Sequence, residues 1–243
     1  MQHGVLVLAI ACGAFFATMI GGLLAISLRD RLHLVLGFSA GAVIGVAFFD
    51  LMPEAMEMGA MWGARTILLL CAGGFFLYTL IDRVVILHTG GEGEDCDHSH
   101  TRGWIGAGSL SAHSFLDGFA IGVAFQASRA IGIVVAIAVL VHDFSDGLNT
   151  VNVVVRNGGE RRTALRWLLM DAAAPVLGAA LSLFFDLPKA ITALILALFS
   201  GFFLYIGASD LLPESHHAHP KLFTTIATLC GAATLLLATQ IAG

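Results

Sequence analysis

The chain has 243 residues, 58% of them hydrophobic and 12% charged, with a formal net charge of -5. Ordinary soluble domains carry about a quarter charged residues, so a soluble globular fold is excluded, and so is a basic module with a nucleic-acid partner. The composition predicts an all-α integral membrane protein whose solvent is the lipid bilayer.

A helix needs about 20 apolar residues to cross a hydrocarbon core about 30 Å thick, and eight runs meet that need. In chain order they extend from Val5 to Leu28, Leu32 to Phe49, Thr66 to Leu87, Gly103 to Ser128, Ala130 to Val155, Thr163 to Phe185, Ala190 to Ser209 and Leu222 to Ile241. Together they make residues 1–243 one transmembrane domain. No Lys or Arg precedes the first run, and it outlasts a signal peptide's core, so it is expected to stay as a span. Basic residues then set the orientation, because cytoplasmic loops collect them. Arg29, Arg31, Arg83, Arg102, Arg156, Arg161, Arg162, Arg166 and Lys221 fall on one side and Arg65, Arg129 and Lys189 on the other. That bias puts both termini outside. The lack of a targeting segment points to a bacterial cytoplasmic (inner) membrane.

Between the third and fourth spans runs "HTGGEGEDCDHSHTRG", residues 88–103, rich in Gly, acids and His and expected to be a flexible cytoplasmic loop. Cys96, His98 and His100 in it match no closed zinc fold, so weak, exchangeable metal binding is the expectation. The other cysteines, Cys12, Cys71 and Cys230, are scattered within spans and suggest no disulfide framework.

Two repeats stand out. "FSAGAVIGVAFFDLMPEA" from Phe38 and "FSGFFLYIGASDLLPES" from Phe199 each begin Phe-Ser and reach Asp-Leu-x-Pro-Glu. The second and seventh spans run in opposite directions, so the repeat marks two three-helix halves of inverted topology around a central pair, a 3+2+3 plan. The second repeat is "HSFLDG" from His113 and "HDFSDG" from His142, on that central pair. A lone histidine on an apolar helix is more often a packing residue; here two matching units occur. Residues at i and i+4 share a helix face, so His113 stands over Asp117 and His142 over Asp146. His113 lies ~15 Å from the start of its span and His142 ~18 Å from the start of its own. Both depths fall near the middle of a ~30 Å core.

Asp143 adds a carboxylate beside His142, Ser114 a hydroxyl beside His113, and Asp171 a further carboxylate ~12 Å into the sixth span. A mid-membrane carboxylate costs at least ~2.5 kcal/mol by insertion scales, and no Lys or Arg stands at that depth. A proton would neutralise these groups, and a divalent cation would do so better, since imidazole and carboxylate suit zinc, iron or manganese. Asp50, ~27 Å along the second span, and Asp210, ~30 Å along the seventh, fall at opposite faces. Asp50 and Glu54 are read as an entrance for cations, and Asp210, Glu214, His216, His217 and His219 as the exit. The bland alternative for these acids is a solvated helix end.

With "AHSFLDGFAIG" in the fourth span, "HDFSDG" in the fifth, "DLMPE" closing the second, eight spans and a His-bearing loop after the third, the chain resembles the ZIP (Zrt/Irt-like) family of divalent metal transporters throughout its length. The resemblance implies a metal site between the fourth and fifth spans, with His113, Ser114 and Asp117 from one motif and His142, Asp143 and Asp146 from the other. It also implies a homodimer. Ser114 stands where the family often has Asn, Asp117 and Asp146 where many members have Glu, and Ala174 where some place an acid before the proline of the sixth span; Asp171 lies one turn earlier.

The function expected is uptake of a divalent cation, zinc first and iron, manganese or cadmium behind it, by alternating access. The ion is a transported substrate, and no catalytic cofactor is called for. Imidazole binds metal only when deprotonated, so uptake should fall below roughly pH 6.5 unless proton exchange drives the cycle. The rivals are an intramembrane metalloenzyme, which would want His-Glu-x-x-His or many paired histidines, and a metal-sensing membrane protein without flux.

Overall fold

The computed structural model describes residues 2–24, 32–89, 97–216 and 222–242, all but a few of them helical. In order come α1 (Gln2–Leu24), α2 (Leu32–Val46), a π-helical turn (Ala47–Leu51), α3 (Met52–Met58), α4 (Ala64–Thr89), α5 (Asp97–Ala127), α6 (Arg129–Arg156), α7 (Arg161–Ser182), α8 (Lys189–Tyr205), a second π-helical turn (Ile206–Leu211), α9 (Leu212–His216) and α10 (Leu222–Ala242). Among the described residues, seven continuous stretches, including Leu34–Met58 and Lys189–Leu211, are long and apolar enough to cross a membrane. The eighth span is α5, 31 residues long and set apart by the polar residues it carries.

Two expectations need correction. The loop predicted over 88–103 is shorter, because α4 continues to Thr89 and α5 begins at Asp97. The segment's glycines all precede Asp95 or follow Arg102, so from 97 to 102 nothing breaks a helix, and an acid at the first position suits the positive end of the helix dipole. The second and seventh spans also do not close near Phe49 and Ser209. Proline has no N–H to give the carbonyl four residues back, and here a wide turn takes up the mismatch. Met52 N–H bonds Ala47 O and Leu212 N–H bonds Gly207 O, each five residues back. The helix then resumes through Pro53 and Pro213.

The helices fall into two groups of four. α1, α5, α6 and α7 pack on one another, and the second, third, seventh and eighth spans form the other group, with α2 on α10 and α4 on α8. The groups meet where α2 lies on α6 and α5 on α8. Glycine sets the closest approaches, and the approaches come in pairs. A Cβ on Gly147 would overlap the Thr18 carbonyl, and one on Gly118 the Pro175 carbonyl. Gly21 meets Phe144 O as Gly178 meets Phe115 O; Gly41 meets Thr228 O as Gly201 meets Cys71 O; Gly231 meets Phe38 O as Gly74 meets Leu198 O. Every pair exchanges the first span with the sixth, second with seventh, third with eighth and fourth with fifth. That is the rule of an inverted repeat, now carried by backbone contacts across the bundle. In this register Gly41 answers Gly201 and Asp50 answers Asp210, so the Phe-Ser pairs at 38–39 and 199–200 are out of step by one residue and are not equivalent.

Candidate metal centre

α5 and α6 run antiparallel and touch, which turns the His113–Asp117 face of one toward the His142–Asp146 face of the other. His142 Nδ1 lies 2.8 Å from the Ala138 carbonyl oxygen one turn back. A carbonyl only accepts, so Nδ1 carries a proton, and Nε2 is the nitrogen turned to the site, where it shares a hydrogen bond with Asp117 Oδ2. That Nε2 is 3.1 Å from Asp117 Oδ2 and 3.9 Å from Asp146 Oδ2. His113 Nε2 approaches the same two oxygens at 3.1 and 3.4 Å. One ligand atom from each of the four residues lies within 4.8 Å of every other, and all four residues are buried.

Zinc at about 2.0–2.1 Å from its ligands spaces them about 3.3 Å apart in a tetrahedron, so these separations need only small side-chain shifts to close on an ion. His113 Nε2 and Asp146 Oδ2 have no hydrogen-bond partner. Among the described residues the carboxylates pair only with the two histidines, with no Lys or Arg. Buried polar atoms are normally satisfied. Two unpartnered ligand atoms beside a histidine and a carboxylate hydrogen-bonded to each other make an arrangement that a cation completes.

The remaining residues of the predicted set divide. Asp143 is fully buried, with neither oxygen hydrogen-bonded and Oδ1 4.0 Å from His142 Nε2. It borders the four-residue set as a further carboxylate, unpartnered on both oxygens. Asp171 is fully buried too, but Ser114 donates to its Oδ1 at 2.7 Å and Thr150 to its Oδ2 at 2.7 Å. Ser114 and Asp171 therefore meet each other, bracing α5, α6 and α7 beside the centre. Thr150 was missed in the sequence although the signal was there: it continues the face of His142 and Asp146 at the next i+4 step. Tyr78 was missed as well. Its ring stands edge-on to the His113 ring, with centroids 6.1 Å apart at 89°, and packs on Phe202 and Tyr205, whose hydroxyl donates to Asp82 Oδ2 at 2.8 Å. No spacing rule connects α4 to α5 at that point.

At one end of the bundle Asp50 is 7% exposed, with Oδ2 unpartnered, and Glu54 is half-buried. At the other end Asp210 is exposed. Glu214, His216, His98 and His100 lie on helical backbone, but their side chains lie outside the described residues, as do Cys96, His217 and His219 altogether. The aromatic residues around the motifs pack as apolar groups, Phe125 in the core and Phe119 against Phe185 and Phe199.

The family model "ZIP Zinc transporter" matches residues 87–239, more than half of the chain. Over 197 residues the chain is 25% identical to zinc transporter ZIP13 of Pongo abelii, covering 76% of this chain and 58% of that protein. It is 34% identical to zinc transporter ZIP10 of Danio rerio over 43% of this chain and 12% of that one. With zinc transporter SLC39A7 of Homo sapiens it shares 28% identity over 46% of this chain and 26% of the relative. The chain thus spans less than two thirds of the length of each of these relatives.

Proposed function

The chain belongs to the ZIP zinc transporter family, and from that premise we propose that it carries a divalent cation, zinc first, across a lipid bilayer through the His113, Asp117, His142 and Asp146 centre. The observation that supports this reading is the open donor set midway along two antiparallel helices, inside a bundle whose backbone contacts repeat with inverted topology. Donors alone would suit an enzyme or a sensor equally. The inverted repeat favours transport, because the same machinery can then face either side in turn.

In this reading Asp117 Oδ2, equidistant from both imidazoles, anchors the ion, and Asp146 closes the opposite side. Asp143 contributes negative charge at the rim, and Asp171 holds three helices in register without touching the cargo. Ions arrive past Asp50 and Glu54 and leave past Asp210. The Asp210 end is taken as cytoplasmic, because nine of the twelve Lys and Arg residues belong to the sequence segments that alternation of the spans assigns to that side. Both chain ends then lie outside.

The test is purified protein in liposomes loaded with a zinc-sensitive dye. Wild type is expected to raise internal zinc down an imposed gradient, and His113→Ala and Asp146→Ala to abolish uptake while the proteins insert normally. Uptake by both variants near the wild-type rate would remove the centre from the pathway. A protein that binds zinc without any flux would be a sensor.

A further inference from the structure

In the register set by the glycine contacts and the two Asp-Leu-x-Pro-Glu motifs, residues 35–53 overlay residues 195–213. Their environments then agree position by position. Phe48 and Phe49 are exposed, as are Ala208 and Ser209; Leu51 and Leu211 are each 1% exposed; Pro53 and Pro213 face outward. Interior, half-buried and exposed positions coincide down both stretches with a single exception. Asp50 is buried and Asp210 is exposed. Within this stretch, the one place where the two copies differ in burial is its one acidic position.

Packing accounts for the difference. The π turn Ala47–Leu51 lies against α6, whereas its counterpart pair, Ile206–Leu211 and α5, is not packed to the same extent. α6, with α10, therefore packs on the turn that carries Asp50, and the turn that carries Asp210 lacks matching contacts of that extent from α5 and α4. Burying an ionised carboxylate without a partner is costly, and Asp50 Oδ2 has none. A residue whose task was structural would be paired, as Asp171 is. A carboxylate at a mouth meets water or a cation when that mouth opens.

We infer that Asp50 and Asp210 are reciprocal gate acids: this conformation is closed over Asp50 and open at Asp210, and in its companion α5 covers Asp210 while α6 withdraws from Asp50. The transport reading gives the exchange its purpose, but the exchange follows from the twofold rule and its one exception in this stretch.

The test uses a background in which Cys12, Cys71, Cys96 and Cys230 are replaced by Ala, carrying either Asp50→Cys or Asp210→Cys, in liposomes with a charged thiol reagent on both faces. Without zinc, the Asp210→Cys protein should react at least about tenfold faster than Asp50→Cys, since a minor state holds ~0.1–10% of molecules. Under a zinc gradient from the Asp50 side, labelling at 50 should rise as labelling at 210 falls. Hydrogen–deuterium exchange of the unmodified protein reads the same contrast between residues 47–52 and 206–212, so the idea survives a variant that fails to fold. Equal labelling at both positions under all conditions, or changes in the same direction, would overturn it. Zinc uptake with both positions labelled together would sink the gate and keep transport; traded labelling without zinc uptake would do the reverse.

Discussion

Asp143 and Asp171 sit on neighbouring helices, both fully buried, yet Asp171 has a hydroxyl on each oxygen and Asp143 has a donor on neither. The contrast separates two uses of the same side chain. A buried carboxylate that receives a hydroxyl on each oxygen is satisfied from within the protein, as a brace between helices would be. One left open beside Asp117, Asp146 and two imidazole nitrogens is incomplete, and only a proton or a cation can finish it. Composition would have grouped them together; their neighbours set them apart.

The most damaging way to break the contrast is to remove the oxygen shared by both histidines. Asp117→Ala takes away an atom 3.1 Å from each imidazole Nε2, and zinc affinity, measured by competition with a coloured chelator, should fall by more than the ~10–100-fold typical of outer-shell changes. A loss below tenfold would mean that the open set is not the binding site. Asp171→Ala should do less. It removes the brace but no ligand, so affinity should fall within that ~10–100-fold range. Ser114 retains the Leu110 carbonyl at 3.1 Å as a second acceptor, which limits the damage. Complete loss of zinc binding with an unchanged melting temperature would make Asp171 a ligand and erase the distinction.

Much of this was readable in the residues. Eight apolar runs, the paired His-x3-Asp units and the Asp-Leu-x-Pro-Glu repeat follow from periodicity and spacing alone, and the i, i+4 rule placed each histidine over its acid. What escaped depends on partners distant in sequence. A proline normally ends a helix. Here the helix continues because the π turn lets Met52 N–H reach Ala47 O, an oxygen that also accepts from Ser200 Oγ of α8 at 3.2 Å. Asp171 was grouped with the ligands because its depth matched. Depth is a coordinate along the bilayer normal, and it does not say that Ser114 and Thr150 each donate to one oxygen of that carboxylate. Tyr78 escaped because only packing of the two four-helix groups brings it to His113.

Asp143→Asn sharpens the comparison from the open side. It replaces an unpartnered carboxylate by an amide of the same shape, so the metal-free protein should melt higher than wild type. The further rise on adding zinc should be smaller, because one negative charge has left the rim of the centre. Differential scanning of both forms measures the two shifts together. A lower melting temperature without metal would show that Asp143 has a stabilising partner, which the open-carboxylate reading denies.

The smallest effect comes from the satisfied side. Thr150→Val keeps the shape and removes one hydroxyl, leaving Asp171 Oδ2 buried without a donor while Ser114 still holds Oδ1 at 2.7 Å. An orphaned buried acceptor costs about 1–3 kcal/mol, so denaturant titration in detergent should detect the loss. Thr150→Ser, which restores the donor and gives up only a methyl group, should recover most of it. Zinc affinity should move by less than about tenfold in either variant, below the usual outer-shell range, because neither changes an atom facing the ion. If Thr150→Val weakened zinc binding as much as Asp171→Ala while costing no stability, the hydroxyl would be acting on the cargo through Asp171, and the brace would belong to the metal site after all.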